Sequence, residues 1–144
     1  AYLYRHLANE MTELGFDGAA TWFIAQAQEE VEHAAKFTKH LQDRGQRVVL
    51  ASIELDAPKI ASLLEAFKAS LEHEQKVTAE IRHIARVADE VGDLESRDTI
   101  NWFLSEQVEE ESSAQGIIDK LELVGNDGAG LLRIDEQLAQ RGDN

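Results

Sequence analysis

The stretch Gln28-Glu29-Glu30-Val31-Glu32-His33 puts a carboxylate and an imidazole on a helical face that is otherwise hydrocarbon. Counting from Glu30 at about 100° per residue, Phe23, Ala27, Ala34, Phe37 and Leu41 all fall within roughly 60° of it. Glu30 is therefore expected to point inward. His33 follows three residues on, about 60° to the other side, so one helix presents both groups to a single point. A buried carboxylate without a partner is strongly destabilising, and the remedies are a buried base, a shared proton or a metal ion.

The surrounding chain has 144 residues, enough for one domain (1–144) with a proper core. It is 43% hydrophobic with a single Pro, and it has no apolar run of about eighteen residues, which predicts a soluble globular protein without a membrane span. The absence of cysteine excludes disulfides, thiolate zinc sites and cysteine nucleophiles together. Ala1-Tyr2-Leu3-Tyr4-Arg5-His6 lacks the basic start and apolar block of a secretory signal, and a cytoplasmic location is expected. It also lacks an initiator Met, so the sequence is read as a fragment. With 28 acidic against 14 basic residues, the net charge of −14 repels nucleic acid and anionic membrane and attracts cations.

Helical periodicity divides the chain into segments. Leu3, Leu7 and Met11 belong to a partial first helix over 1–14, ended by Gly15-Phe16-Asp17-Gly18. Asp17 is the expected N-cap of a second helix over 18–44, which Gly45 terminates. The period fails over 46–58, where 47–53 reads as extended chain; a connection of that length suggests a crossover along a bundle. Ser62-Leu63-Leu64-Glu65 has capping-box spacing and opens a third helix over 62–91, with Phe67, Leu71, Ile81, Ala85 and Ala88 in its apolar row. A fourth helix over 94–124 carries Ile100, Phe103, Ala114, Ile117 and Leu121 on one stripe. Gly128-Ala129-Gly130 precedes a short fifth helix over 131–140, apolar at Leu131, Ile134 and Leu138. The expected fold is all-α: a four-helix bundle with one long crossover between the second and third helices and an appended fifth helix.

Polar residues interrupt the other apolar stripes too. Glu74 lies within about 20° of Phe67, Ile81 and Ala85 on the third helix. Gln107 and Glu110 occupy successive inner places on the fourth, and Glu106 leans the same way at about 40° from Glu110. A lone Glu on such a stripe is ordinarily a core-edge residue. Three at matching depth on three helices make that the less favoured reading, because like charges converge unprotonated in a low-dielectric core only around a cation. A carboxylate-rich set with one imidazole suits Fe²⁺, Mn²⁺ or Zn²⁺, and two metals sharing bridging Glu residues would use all the ligands offered. Glu80-Ile81-Arg82-His83 repeats the Glu-x-x-His spacing, but His83 lies about 180° from Glu74 and is expected at the surface. Glu32, His40 and His73 are likewise expected to be solvated, and Glu29 and Glu109 flank the inner face at about 100°. Tyr4 and Trp102 read as core or rim aromatics that, beside metal ions, could supply single electrons.

Taken in order, the 28–33 stretch, Glu74, Ser105-Glu106-Gln107-Val108-Glu109-Glu110-Glu111, Ile117-Ile118-Asp119-Lys120-Leu121 and the short last helix resemble the bacterial non-haem ferritins over nearly the whole chain. The resemblance implies that Glu30 and His33 bind the first iron of a di-iron ferroxidase centre, that Glu30 bridges, and that Glu74 and Glu110 hold the second iron, with Gln107 a hydrogen-bonding neighbour or weak ligand. It implies a third, inward-leading iron site at Glu29, Glu106 and Glu109, a tyrosine beside the centre at Tyr4 and a nearby tryptophan at Trp102. The family pattern also has a Glu on the first helix about two turns before Tyr4, a place expected upstream of Ala1. Bacterioferritins pair a second Glu-x-x-His on the fourth helix and use a Met on the second for haem; here the fourth helix has Gln107-Val108-Glu109-Glu110 and the single Met is Met11, so no haem is expected.

The implied function is iron storage and detoxification. Fe²⁺ is oxidised by O₂ or H₂O₂ and kept as ferric oxide inside a hollow homo-oligomeric shell, usually of twenty-four subunits, with 47–53 near a dimer contact and the fifth helix lining a channel. The rival readings are a di-metal peroxidase or oxidase of the rubrerythrin or bacterioferritin kind, and a non-catalytic bundle for partner binding.

Overall fold

A computed structural model describes the chain over residues 1–143. Five α-helices follow one another: α1 (Tyr2–Glu13), α2 (Asp17–Asp43), α3 (Leu63–Val91), α4 (Arg97–Val124) and α5 (Gly128–Ala139). A 3-10 turn over Leu94–Ser96 leads into α4, and another over Gln140–Asp143 follows α5. Among the described residues there is no strand, and no helix is long and apolar enough to cross a membrane. α1 lies along α2 and α3 along α4, while α5 packs on α2 and the end of α4. The architecture is the expected four-helix bundle with one long crossover and a short last helix.

Interleaved rings hold the two helix pairs together. Phe23 of α2 stacks on Phe67 of α3 with centroids 4.8 Å apart, Trp22 meets Phe67 edge-on at 5.0 Å, and Tyr4 of α1 stacks on Phe23 at 6.1 Å. Toward the other end Phe37 of α2 lies flat on Phe103 of α4 at 3.9 Å. Leu7, Met11, Leu63 and Leu121 fill the space between and are essentially fully buried. Offset and edge-on ring pairs of this kind fix relative helix positions more tightly than aliphatic packing alone.

Several boundaries differ from those expected. The crossover occupies 44–62 rather than 46–58, because its last residues are strapped across α1: Nε2 of His6 lies 2.7 Å from the Pro58 carbonyl oxygen, and the Ile60 N–H donates to Oε2 of Glu10 at 3.0 Å. Ser62 then accepts from the Glu65 N–H at 3.1 Å, and Glu65 reaches back to the Ala61 N–H at 2.9 Å. α4 begins at Arg97, the three residues before it forming the tighter turn. Gly128-Ala129-Gly130 is the first turn of α5 and not a spacer, since Asp127 accepts from the Gly130 N–H at 2.8 Å and starts the helix early. On α4 Ile118 is buried and Ile117 only partly so, Ile117 being turned toward α5. Ala34 and Leu41 of α2, expected inside, are exposed: none of the described residues packs over them.

Asp17 does not cap α2. It is the first helical residue, and Phe16 at the cap makes no side-chain bond. The free N–H groups of Gly18 and Ala19 donate instead to Oδ2 and Oδ1 of Asp135 on α5, at 3.1 and 2.7 Å. A carboxylate supplied from another helix thus satisfies the positive end of α2 and docks α5 on it. Gly18 makes this approach possible, since a Cβ there would lie 1.9 Å from the Asp135 backbone oxygen. Gly18→Ala should therefore destabilise the fold by about 1–3 kcal/mol, lowering the midpoint of thermal unfolding. Gly116→Ala, which meets nothing within 4 Å, should leave the midpoint unchanged or raise it. Equal midpoints for parent and Gly18→Ala would show that α5 is not docked this way.

Candidate metal centre

Midway along the bundle the polar residues of the inner stripes meet. α2 contributes Glu30 and His33 from successive inner positions and α4 contributes Glu110; one ligand atom from each lies within 4.8 Å of the others. Nδ1 of His33 is 3.9 Å from Oε1 of Glu30, and Nε2 of His33 is 3.7 Å from Oε1 of Glu106. These spacings are too long for good hydrogen bonds. They leave room for an ion between the groups.

Glu74 of α3 is buried beside this cluster with both oxygens engaged. The Tyr4 hydroxyl donates to Oε1, and Nε2 of Gln107 donates to Oε2 at 3.0 Å. Ser70 donates to the Tyr4 oxygen at 3.3 Å, and Thr78 donates to Oε1 of Glu111 at 2.6 Å while standing 3.3 Å from Nε2 of Gln107. Across the bundle Nε2 of Gln26 donates to Oε2 of Glu110 at 2.7 Å.

Burial disfavours the charged forms of the acids here. Burial pushes the Glu30 carboxyl up, and the Glu74 charge acts in the same direction. Glu110 is pushed up to about 7, with burial the largest cause; the Gln26 N–H opposes it, while the charges of Glu74 and Glu29 add to it. Burial, then the Glu74 carboxylate, raises the Tyr4 phenol. A divalent cation among these oxygens would reverse the first two shifts, since it favours the ionised carboxylates.

A family profile described as a ferritin-like domain matches residues 1–124. The chain belongs to that family. A bacterial non-heme ferritin of Staphylococcus epidermidis is 35% identical over 144 residues, covering 100% of this chain and 87% of the relative. One from Staphylococcus aureus is 36% identical over 143 residues, covering 98% and 85%. Among solved structures, an open pore ferritin from the hyperthermophilic archaeon Archaeoglobus fulgidus superposes with a TM-score of 0.93 at 37% identity, covering 96% of this chain and 85% of that one. In this ferritin the carboxylate and histidine cluster of Glu30, His33 and Glu110 is thus a potential metal site.

The remaining candidates divide. Tyr4 is fully buried and bonded to Glu74, whereas Trp102 is about one-third exposed (36%), its ring edge-on to His33 at 5.4 Å and Nζ of Lys36 4.2 Å from its centroid. Glu106 leans on His33, but Glu109 is exposed and outside the cluster. Glu29 is engaged by Nη2 of Arg141 at 2.6 Å, a residue from the turn after α5 whose guanidinium also lies 4.3 Å over the Trp22 ring. Glu32, Glu80 and His83 are exposed. His73 and His40, expected in solvent, are partly buried: His73 packs on the Tyr4 ring at 5.7 Å and burial lowers its pKa, and His40 lies 2.9 Å from the Ser96 hydroxyl. Sequence reasoning missed Gln26, Ser70, Thr78 and Arg141. Gln26 and Thr78 sit one turn from Glu30 and Glu74 on the same faces, which is a readable signal; nothing in the sequence announced that Arg141 folds back onto α2.

The raised value of Glu110 has a sign that can be checked. The stability it lends the metal-free protein is fully present below the ordinary value of 4.5 and is lost as the pH rises through about 7. Metal-free protein should thus lose on the order of 1 kcal/mol between about pH 5 and 7 after allowance for solvent screening, and Glu110→Gln should flatten that slope. Zn²⁺ binding near neutral pH should release protons, measured by calorimetry in buffers of differing ionisation enthalpy. Binding with no proton release would contradict a protonated Glu110.

Proposed function

We propose that the chain stores iron by oxidising Fe²⁺ at a two-ion ferroxidase centre and keeping the Fe³⁺ as hydrated ferric oxide inside a homo-oligomeric shell. The observation that carries this reading is the convergence of Glu30, His33 and Glu110 within 4.8 Å in an interior that raises both carboxyls. Fe²⁺ enters as substrate. Glu30 and His33 bind one ion, Glu30 bridges, and Glu74 and Glu110 bind the second, with Gln107 holding Glu74 in place. Hard oxygen ligands favour the ferric state, and loss of the carboxyl protons on binding adds negative charge where positive charge develops.

The redox balance needs two ions at one place. Two Fe²⁺ give two electrons to O₂, which takes up two protons to leave as H₂O₂; with H₂O₂ as oxidant the same two electrons and two protons yield two waters. Were Tyr4 and Trp102 each to add one electron to the two from Fe²⁺, O₂ would take up four electrons and four protons and leave as two waters; the Tyr4 hydroxyl bonded to Glu74 and the Trp102 ring edge-on to His33 support that role. Glu29, Glu106 and Glu109 form a path leading ferric ions onward, and the net charge of −14 draws cations toward the protein.

The crossover supports assembly. Val49, Leu50 and Ile53 are 72%, 91% and 70% exposed, an apolar row suited to burial against a second copy in a shell of twenty-four subunits. The reading places the protein in the cytoplasm.

Iron uptake under air is the test. The parent should oxidise Fe²⁺ and retain far more ferric ions than two per chain. Glu30→Ala with His33→Ala should lower the initial oxidation rate at least about tenfold. Retention of only two ions per chain would favour the di-metal oxidase reading, and a monomer by gel filtration would overturn the shell.

A further inference from the structure

One turn before Glu30 on the inner face of α2, Gln26 is fully buried between the helix pairs. Its two polar ends are treated unequally: Nε2 donates to Oε2 of Glu110 at 2.7 Å, and Oε1 has no hydrogen-bond partner. A methionine or leucine would fill the same space without an orphaned acceptor, so packing does not account for an amide here. The N–H contact to Glu110 does. Turned the other way, the amide would bring its oxygen against a carboxylate oxygen at the same short distance, two acceptors face to face, so once Glu110 is ionised, as a metal ligand must be, only the N–H orientation serves.

Gln26 also ties two frames together. Gln26, Glu30 and His33 stand on consecutive turns of one helix, and Glu110 stands on α4. The point at which the amide grips Glu110 is therefore set by the same rigid rod that carries the other two groups of the cluster. We infer that Gln26 is a positioning residue for the metal centre: it ties up Oε2 of Glu110 and leaves the other oxygen to the divalent cation that Glu110 shares with the bridging Glu30. This rests on the proposed role of Glu110 as a ligand. Gln26 itself touches no ion in this scheme.

The full chain in its native assembly would be titrated without oxygen, using Co²⁺ absorption to report coordination and Zn²⁺ calorimetry to report affinity. Two variants separate polarity from reach: Gln26→Met removes the donor at similar volume, and Gln26→Asn keeps the amide but shortens it by one methylene. Both should weaken one of the two Zn²⁺ sites by about tenfold or more and change the Co²⁺ bands, because a freed Oε2 changes the ligand count. The metal-free Met variant should melt at or above the parent's temperature, which a merely structural role for the hydrogen bond would not allow. If the parent takes two Co²⁺ and both variants keep its spectrum and its Zn²⁺ affinity, the inference is wrong while the centre stands. A parent that takes up no Co²⁺ removes the centre, and this inference with it.

Discussion

Carboxylates carried on three helices converge between the helices, two of them buried and Glu30 largely so, and like charges in such a place repel while each loses hydration. Donors from neighbouring turns supply part of the relief: the Tyr4 hydroxyl and the Gln107 amide on Glu74, the Gln26 amide on Glu110. Protons can supply more, since burial pushes the Glu30 and Glu110 carboxyls up. What these leave unbalanced is a cluster of oxygen and nitrogen atoms with too few donors of its own, a potential site for a divalent cation.

Such a site needs stiff supports, because a ligand displaced by an ångström no longer shares an ion with its partners. Long helices provide them. The rings of Tyr4, Phe23, Trp22 and Phe67 lock α1, α2 and α3 together on one side of the cluster, and Phe37 on Phe103 locks α2 to α4 on the other. The last segment bears on α2 twice. Asp135 takes the N–H groups at the start of the helix, and Arg141, two turns later, takes Glu29 beside the centre. Opposite charges at the two ends of one short segment thus meet a helix N-terminus and an acid that would otherwise crowd Glu110.

The outer surface follows a different logic. The crossover carries exposed valine, leucine and isoleucine. An exposed apolar row of that kind is costly in water for a single chain and is relieved by burial against another surface.

Periodicity alone determined the number of helices, their order, the single crossover and the inward direction of Glu30, Glu74, Gln107 and Glu110, because a side chain's angle about its own helix depends only on its position along that helix. It reached the candidate residues by the same route, as polar interruptions of apolar stripes. Angles on separate helices carry no information about which helices touch, so the tertiary structure alone decided that Gln26 would meet Glu110, that Arg141 would hold Glu29, and that Glu109 would stay outside. The same holds for the cap on α2, where Asp17 had the right local chemistry but Asp135, 116 residues from Ala19, had the right place. Burial was over-read where a face was apolar but nothing packed on it, at Ala34 and Leu41, since hydrophobicity states what a surface favours and only a neighbour in space can provide it.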